Sequence, residues 1–189
     1  MKFLTKLLAL IGAITIAMAV YFWFAGVKNL DPKSKDVYTH MMGTIIKTGD
    51  IAKATVRKVQ VKDGITPDEL VDSLNSVATD MGIKPVGDLP LSKEIEARTG
   101  KKQRYIRVLS FCNPIIAGKM VDFSMAYGAY LPCRIVIMED KKGKLWLYTL
   151  DLDMMIHGGA PLPPDMLKYG NQVKNTIYTM MDKAASGDF

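Results

Sequence analysis

The sequence predicts an α+β domain, a single mixed or antiparallel sheet with helices packed on one side, preceded by one N-terminal transmembrane helix. Three observations predict it. Leu7 to Val27 carries no charged residue. Beyond it, β-branched runs alternate with segments that open on helix-capping residues. Two late apolar runs, Leu131 to Glu139 and Lys144 to Leu150, are joined through Asp140-Lys141-Lys142-Gly143, the short polar connection of a hairpin. The chain of 189 residues is long enough for one core and short for two.

The apolar run comes first. At about 1.5 Å per helical residue, Leu7 to Val27 reaches about 30 Å, the thickness of a bilayer's hydrocarbon core. Tyr21, Phe22, Trp23 and Phe24 cluster at its far end, the level of the headgroups. Lys2 and Lys6 precede it, and the positive-inside rule keeps such residues in the cytoplasm. The expected partner is therefore the inner (cytoplasmic) membrane, crossed once through Leu7 to Val27, with the remainder on the periplasmic or extracytoplasmic side. The alternative is secretion after cleavage near Ala19, because Ala17-Met18-Ala19 has the small-x-small form of a processing site. Such a cut would leave Val20 to Phe24 as a greasy terminus, which favours the uncleaved anchor. Ala9, Ala13 and Ala17 form a small-residue stripe of the spacing expected by chance in an Ala-rich span.

Lys28 to Lys35 reads as a polar juxtamembrane linker, followed by a helix over Asp36 to Lys47. Ala54 to Val61 is the first strand, ended by Asp63-Gly64. Thr66-Pro67-Asp68-Glu69 offers an N-cap, a first-turn proline and a Glu three residues past the cap, so a helix starts there. Leu70, Leu74, Val77, Ala78 and Met81 share one face of it, and Gly82 stops it. Ile83 to Val86 reads as a short strand, Ser92 to Thr99 as a solvated helix, and Tyr105 to Phe111 as a strand. Asn113-Pro114 then caps and opens a helix to about Tyr127. Both hairpin strands are apolar on two faces, which predicts a central or doubly covered position. After Gly158 to Pro164, a last helix runs from Asp165 to about Ala185, with Met166, Tyr169, Val173, Ile177, Met180 and Ala184 on its buried face.

Three pieces of the C-terminal half carry a resemblance: Phe111-Cys112-Asn113-Pro114 after a strand, Leu131-Pro132-Cys133-Arg134 opening the next, and Asp151 to Asp153 followed by Met154-Met155. Over roughly Val56 to His157, they resemble the family catalogued as domain of unknown function family 302. The resemblance implies an α+β fold of the TATA-binding-protein-like class and a tendency to form homodimers, and it implies no established activity. The anchor, the helical stretch before Ala54 and part of the last helix fall outside the resemblance. The organisation expected is thus residues 1–27 as cytoplasmic stub and anchor, 28–53 as linker and helix, 54–157 as the α+β domain, and 158–189 as a Gly/Pro linker and C-terminal helix.

Candidate chemistry centres on the two cysteines. Cys112 precedes a helix N-terminus, where free amides and the helix dipole favour a thiolate. A small buried residue at a strand-to-helix corner is the commoner use. Cys133 has the same two readings, while its neighbour Arg134 suits an anion or a sheet edge. If the intervening helix is a crossover between parallel strands, the cysteines lie about 15–20 Å apart at opposite ends of the sheet, beyond disulfide reach. Only an antiparallel pair would bring them within range. Cys112, Asn113, Cys133 and Arg134 are therefore the candidate ligand or thiol site.

The 13 methionines include His40-Met41-Met42 and Met154-Met155-x-His157, soft groups that suit Cu(I). Met154, Met155 and His157 are accordingly the candidate metal ligands and copper the candidate cofactor, although Met is also ordinary core filler and Met41 and Met180 fall on predicted buried helix faces. Two histidines lack the spacing of a zinc site. Asp151, Asp153, Asp140 and Glu139 suit acid/base work or, more commonly, turns and caps. The net charge of +6 comes without a Lys/Arg block, which argues against nucleic acid as a partner. Nucleotide-binding and common hydrolase motifs do not occur. The functional expectation is an extracytoplasmic module that binds a small ligand, metal or partner, with a Cys112-dependent redox or transfer enzyme as the alternative.

Overall fold

Capping chemistry sets several of the element boundaries. The computed structural model describes residues 2–188; Met1 and Phe189, the outer ends of the first and last predicted segments, lie outside the described residues. Helix α1 (Lys2–Ala25) is continuous, buries no residue, and is long and apolar enough to serve as a membrane anchor or signal. A 3-10 turn (Val27–Asn29) leads to α2 (Ser34–Thr48) and the short α3 (Ile51–Ala54), which is capped by the Asp50 carboxylate. Strand β1 (Val56–Gln60) precedes α4 (Pro67–Asp80), whose start is the predicted capping box. Thr66 Oγ1 accepts the Glu69 N–H at 3.3 Å, and Glu69 Oε2 accepts the Thr66 N–H at 2.7 Å.

Strand β2 (Lys84–Leu89), α5 (Leu91–Thr99) and β3 (Ile106–Cys112) follow, then α6 (Pro114–Phe123), a 3-10 turn (Met125–Tyr130), and the hairpin β4 (Cys133–Glu139) and β5 (Leu145–Leu150). Helices α7 (Leu152–His157) and α8 (Pro164–Ser186) close the chain. The five strands form one sheet in the order β1-β5-β4-β3-β2, antiparallel at every pairing. The hairpin lies inside the sheet, as its two-faced apolar pattern requires.

The core sits between one face of that sheet and the helices. Leu109, Phe111, Ile135, Ile137 and Leu147 point to it at the period of two that strands impose. Leu70, Leu74, Val77 and Ala78 of α4 meet them with Ile177, Met180, Met181 and Ala184 of α8 and Ile156 of α7. Since α8 supplies so much of this core, the fold does not end at His157.

Four local expectations change. Met81, past the end of α4, is exposed because Gly82 turns the chain away there. Met41 is only half-buried. The helix from Asn113 ends at Phe123, where extended Ser124 breaks it before the 3-10 turn; neither Gly nor Pro announces that stop. The acidic turn at Asp151 opens a short helix, α7, with Asp151 as its cap.

The geometric objection to a cysteine pair is also overturned. The chain from β3 to β4 is no parallel crossover: the ten-residue α6 and the 3-10 turn return it to the end of the sheet it left. Phe111 pairs directly with Cys133, so Cys112 and Cys133 stand at one end of adjacent strands. Both thiols are free.

Candidate functional site

Cys112 ends β3 and Cys133 opens β4, so the strand-to-helix corner and the strand start predicted from sequence form a single place. Asn113 fixes the corner. Its side-chain oxygen accepts the N–H groups of Ile115 and Ile116, both at 3.1 Å, and its amide donates to the Gly82 carbonyl at 3.3 Å. This is a helix cap and a brace to the neighbouring turn, and it uses the polar atoms that a ligand would have needed. The Leu131–Pro132 peptide just before Cys133 is cis.

Above this corner, α6, α7, α8 and the 3-10 turn line a partly open apolar cavity of about 50 Å³. Cys112, Cys133, Met120 and Met155 line it, with Tyr127 and Tyr169 among the larger side chains. Met120 reaches it from the buried stripe that Ile116 begins four residues earlier, and Tyr169 and Val173 reach it from α8. The first turns of α8 thus line a cavity while its last turns fill the core, although one apolar stripe runs through both. Tyr127 and Tyr130 are neighbours, ring centroids 6.4 Å apart. Lys119 donates to the Tyr169 hydroxyl and lies 4.6 Å from the ring centroid. Gly170 lets α8 approach α7: a Cβ there would stand 3.2 Å from Ile156 Cγ1.

The surroundings do not make a reactive thiolate. Burial pushes the Cys133 thiol up to about 11, the neighbouring Cys112 adds to this, and Arg134 opposes it. Burial also raises Cys112. The amides expected to stabilise a Cys112 thiolate are the ones Asn113 already occupies. Both groups are therefore thiols at neutral pH, the opposite of the activated cysteine suggested by the helix N-terminus.

Other candidates fall elsewhere. Arg134 is exposed and does not line the cavity; its carbonyl accepts the Thr149 hydroxyl at 2.7 Å. Met154 is half-buried and also outside the lining, so Met154, Met155 and His157 do not converge. His157 turns to Asp31, Nδ1 to Oδ2 3.2 Å, with both residues buried. It faces a separate open groove of about 440 Å³ that Lys33, Asp36, His40, Asp153 and Lys174 also line. The two histidines, distant in sequence, thus share one groove. Asp31 carried no sequence signal at all.

The acidic residues are engaged in structure. Asp140 accepts the Lys142 and Lys144 N–H groups and the Trp146 indole, Glu139 accepts the Tyr105 N–H, and Asp153 pairs with Lys174. Among the described residues, no group of three His, Cys, Asp or Glu side chains is arranged to hold a metal ion. The four sulfur-bearing residues of the cavity are a different donor set.

Comparison with known proteins adds two findings. The family model for domain of unknown function DUF302 matches residues 57–184, running past His157 through most of α8. The fold is similar to the crystal structure of an uncharacterized conserved protein DUF302 from Bacillus stearothermophilus, with a TM-score of 0.57 and 15% identity over 69% of this chain and 98% of that one. No curated protein matches the chain.

Proposed function

The chain belongs to the family of domain of unknown function DUF302, and from that premise we propose that it is a membrane-tethered binding module whose ligand places a small apolar or soft group in the cavity between β3, β4, α6 and α8. The observation that supports this reading is the cavity itself, which is lined by apolar side chains and bordered by tyrosines. Apolar lining with a few polar groups at the edge is how small-molecule sites are built. At about 50 Å³, the space admits a few heavy atoms, less than the cavity of about 150 Å³ that holds benzene.

Binding is favoured over thiol chemistry because both cysteines stay protonated at neutral pH. The N-terminal lysines, by the positive-inside rule, support an extracytoplasmic placement with α1 retained as the anchor.

Xenon tests the reading, because it is a small apolar probe that enters dry cavities. With the full chain in detergent and its methionine methyls labelled, xenon should shift the Met120 and Met155 resonances. Val173→Phe, which fills the cavity from α8, should abolish the shift while the circular dichroism spectrum stays the same. Unmoved methionine signals in the parent chain would end the proposal.

A further inference from the structure

We propose that the soft group taken up by this cavity is a monovalent copper-type cation, Cu(I), held by the sulfurs of Cys112, Cys133, Met120 and Met155. The inference deepens the binding reading and rests on it. Four of the residues lining one small cavity carry sulfur, and they come from four different elements: β3, β4, α6 and α7. Chance packing explains one methionine beside a cysteine more readily than two thiols and two thioethers at one apolar space. Thioether beside thiolate selects Cu(I), whereas calcium and magnesium want carboxylates and carbonyls, and zinc completes its thiolates with further thiolates, imidazoles or carboxylates rather than thioethers. Among the described residues, no carboxylate and no imidazole lines this cavity.

The electrostatics agree with a cation in that position. Each ligating thiol gives its proton to solvent as its S–Cu bond forms, and the copper stays Cu(I) throughout, so no oxidant or reductant is needed. The cation offsets one of the two thiolate charges, so the complex carries a single negative charge where two bare thiolates in a low-dielectric cavity would carry two. Tyr127, Tyr130 and Tyr169 border the site and restrict water, which suits an oxidation state that water and oxygen destabilise.

The test uses the full chain in detergent, reduced and free of oxygen, with Cu(I) delivered and competed by a coloured bidentate chelator. The parent chain should hold one equivalent. Cys133→Ser should weaken it by at least about tenfold, and Met155→Leu, which conserves volume and so folds, should weaken it measurably. The inference is overturned if the parent chain takes no Cu(I), or if a Cys112→Ser/Cys133→Ser chain holds it equally well. Xenon uptake separates the two levels: with xenon entering and copper refused, only the metal inference fails. With both refused, the cavity is no binding site.

Discussion

Asp31 Oδ2 lies 3.2 Å from His157 Nδ1, across 126 residues of sequence, and both side chains are buried. The contact joins the segment after α1 to the corner between α7 and α8. Around it, the Asp31 N–H donates to the Gly159 carbonyl at 2.8 Å, the Lys33 N–H donates to Asp31 Oδ1 at 2.8 Å, and the Tyr38 hydroxyl donates to the Gly158 carbonyl. A segment whose composition reads as a free polar linker is thus docked, and the apolar helix α1 is joined to the domain through it.

Asp31→Asn should loosen that coupling. Burial raises the Asp31 carboxyl, but the Lys33 N–H, His157 and the Lys33 charge outweigh it and hold the group below 3.8. A carboxyl depressed on folding adds stability that is fully present above its unfolded value and lost as pH falls through its folded one. Docking in the parent chain should therefore weaken only below pH 3.8, in a groove that Asp36, His40, Asp151, Asp153 and Lys174 also line. The asparagine keeps an acceptor for Lys33 but loses the charge facing His157, at a cost of about 1–3 kcal/mol. Exchange of the backbone N–H groups of residues 31 and 33 measures it: faster exchange in the variant at neutral pH is expected, and an unchanged rate would show that the pair adds nothing to docking.

Thr66→Ala removes the acceptor of the α4 capping box and should cost about 1 kcal/mol. For a domain of this size, that lowers the thermal midpoint by about 2–4 °C. Thr66→Ser should restore most of it. A midpoint unchanged in the alanine variant would mean that packing of Leu70 and Leu74 holds this end of the helix without its cap.

These outcomes follow the division between what the sequence showed and what it hid. The start of α4 was legible because Thr66, Pro67 and Glu69 act within one turn. The cap at Asn113 was legible for the same reason, and its service as a cap removes it from the chemistry. The end of α6 was not legible, because Ser124 breaks the helix with no residue that demands it. That single break decides whether β4 returns parallel or antiparallel, and hence whether Cys112 and Cys133 meet. Met120 was hidden because an apolar residue on a helix face reads alike whether it fills a core or lines a cavity. Asp31 was hidden because its partner is supplied only by the tertiary fold.

Cys133 should alkylate slowly. With its thiol pushed from 9.0 to about 11, the thiolate share at neutral pH falls about a hundredfold. The greater nucleophilicity of a more basic thiolate returns part of that, leaving a net loss of roughly tenfold against a free thiol. The rate should climb steadily as pH rises and level off only near the raised value. A plateau near neutral pH would identify an activated thiol and revive the enzyme reading.

Asn113→Ala tests why Cys112 stays protonated. The substitution frees the Ile115 and Ile116 N–H groups at the start of α6 and should cost about 1 kcal/mol of stability. Those freed amides then stand at the positive end of the helix dipole, three and four residues past the cysteine, where they can stabilise a thiolate. Asn113→Asp keeps the cap acceptor, loses only the bond to the Gly82 carbonyl and sets a negative charge beside the thiol, so it should keep the helix cap and disfavour the thiolate further. Alkylation of Cys112 at fixed pH should therefore run fastest in the alanine variant, slower in the parent and slowest in the aspartate variant. If alanine and parent react alike, burial alone sets the thiol, and the cap matters only to the helix.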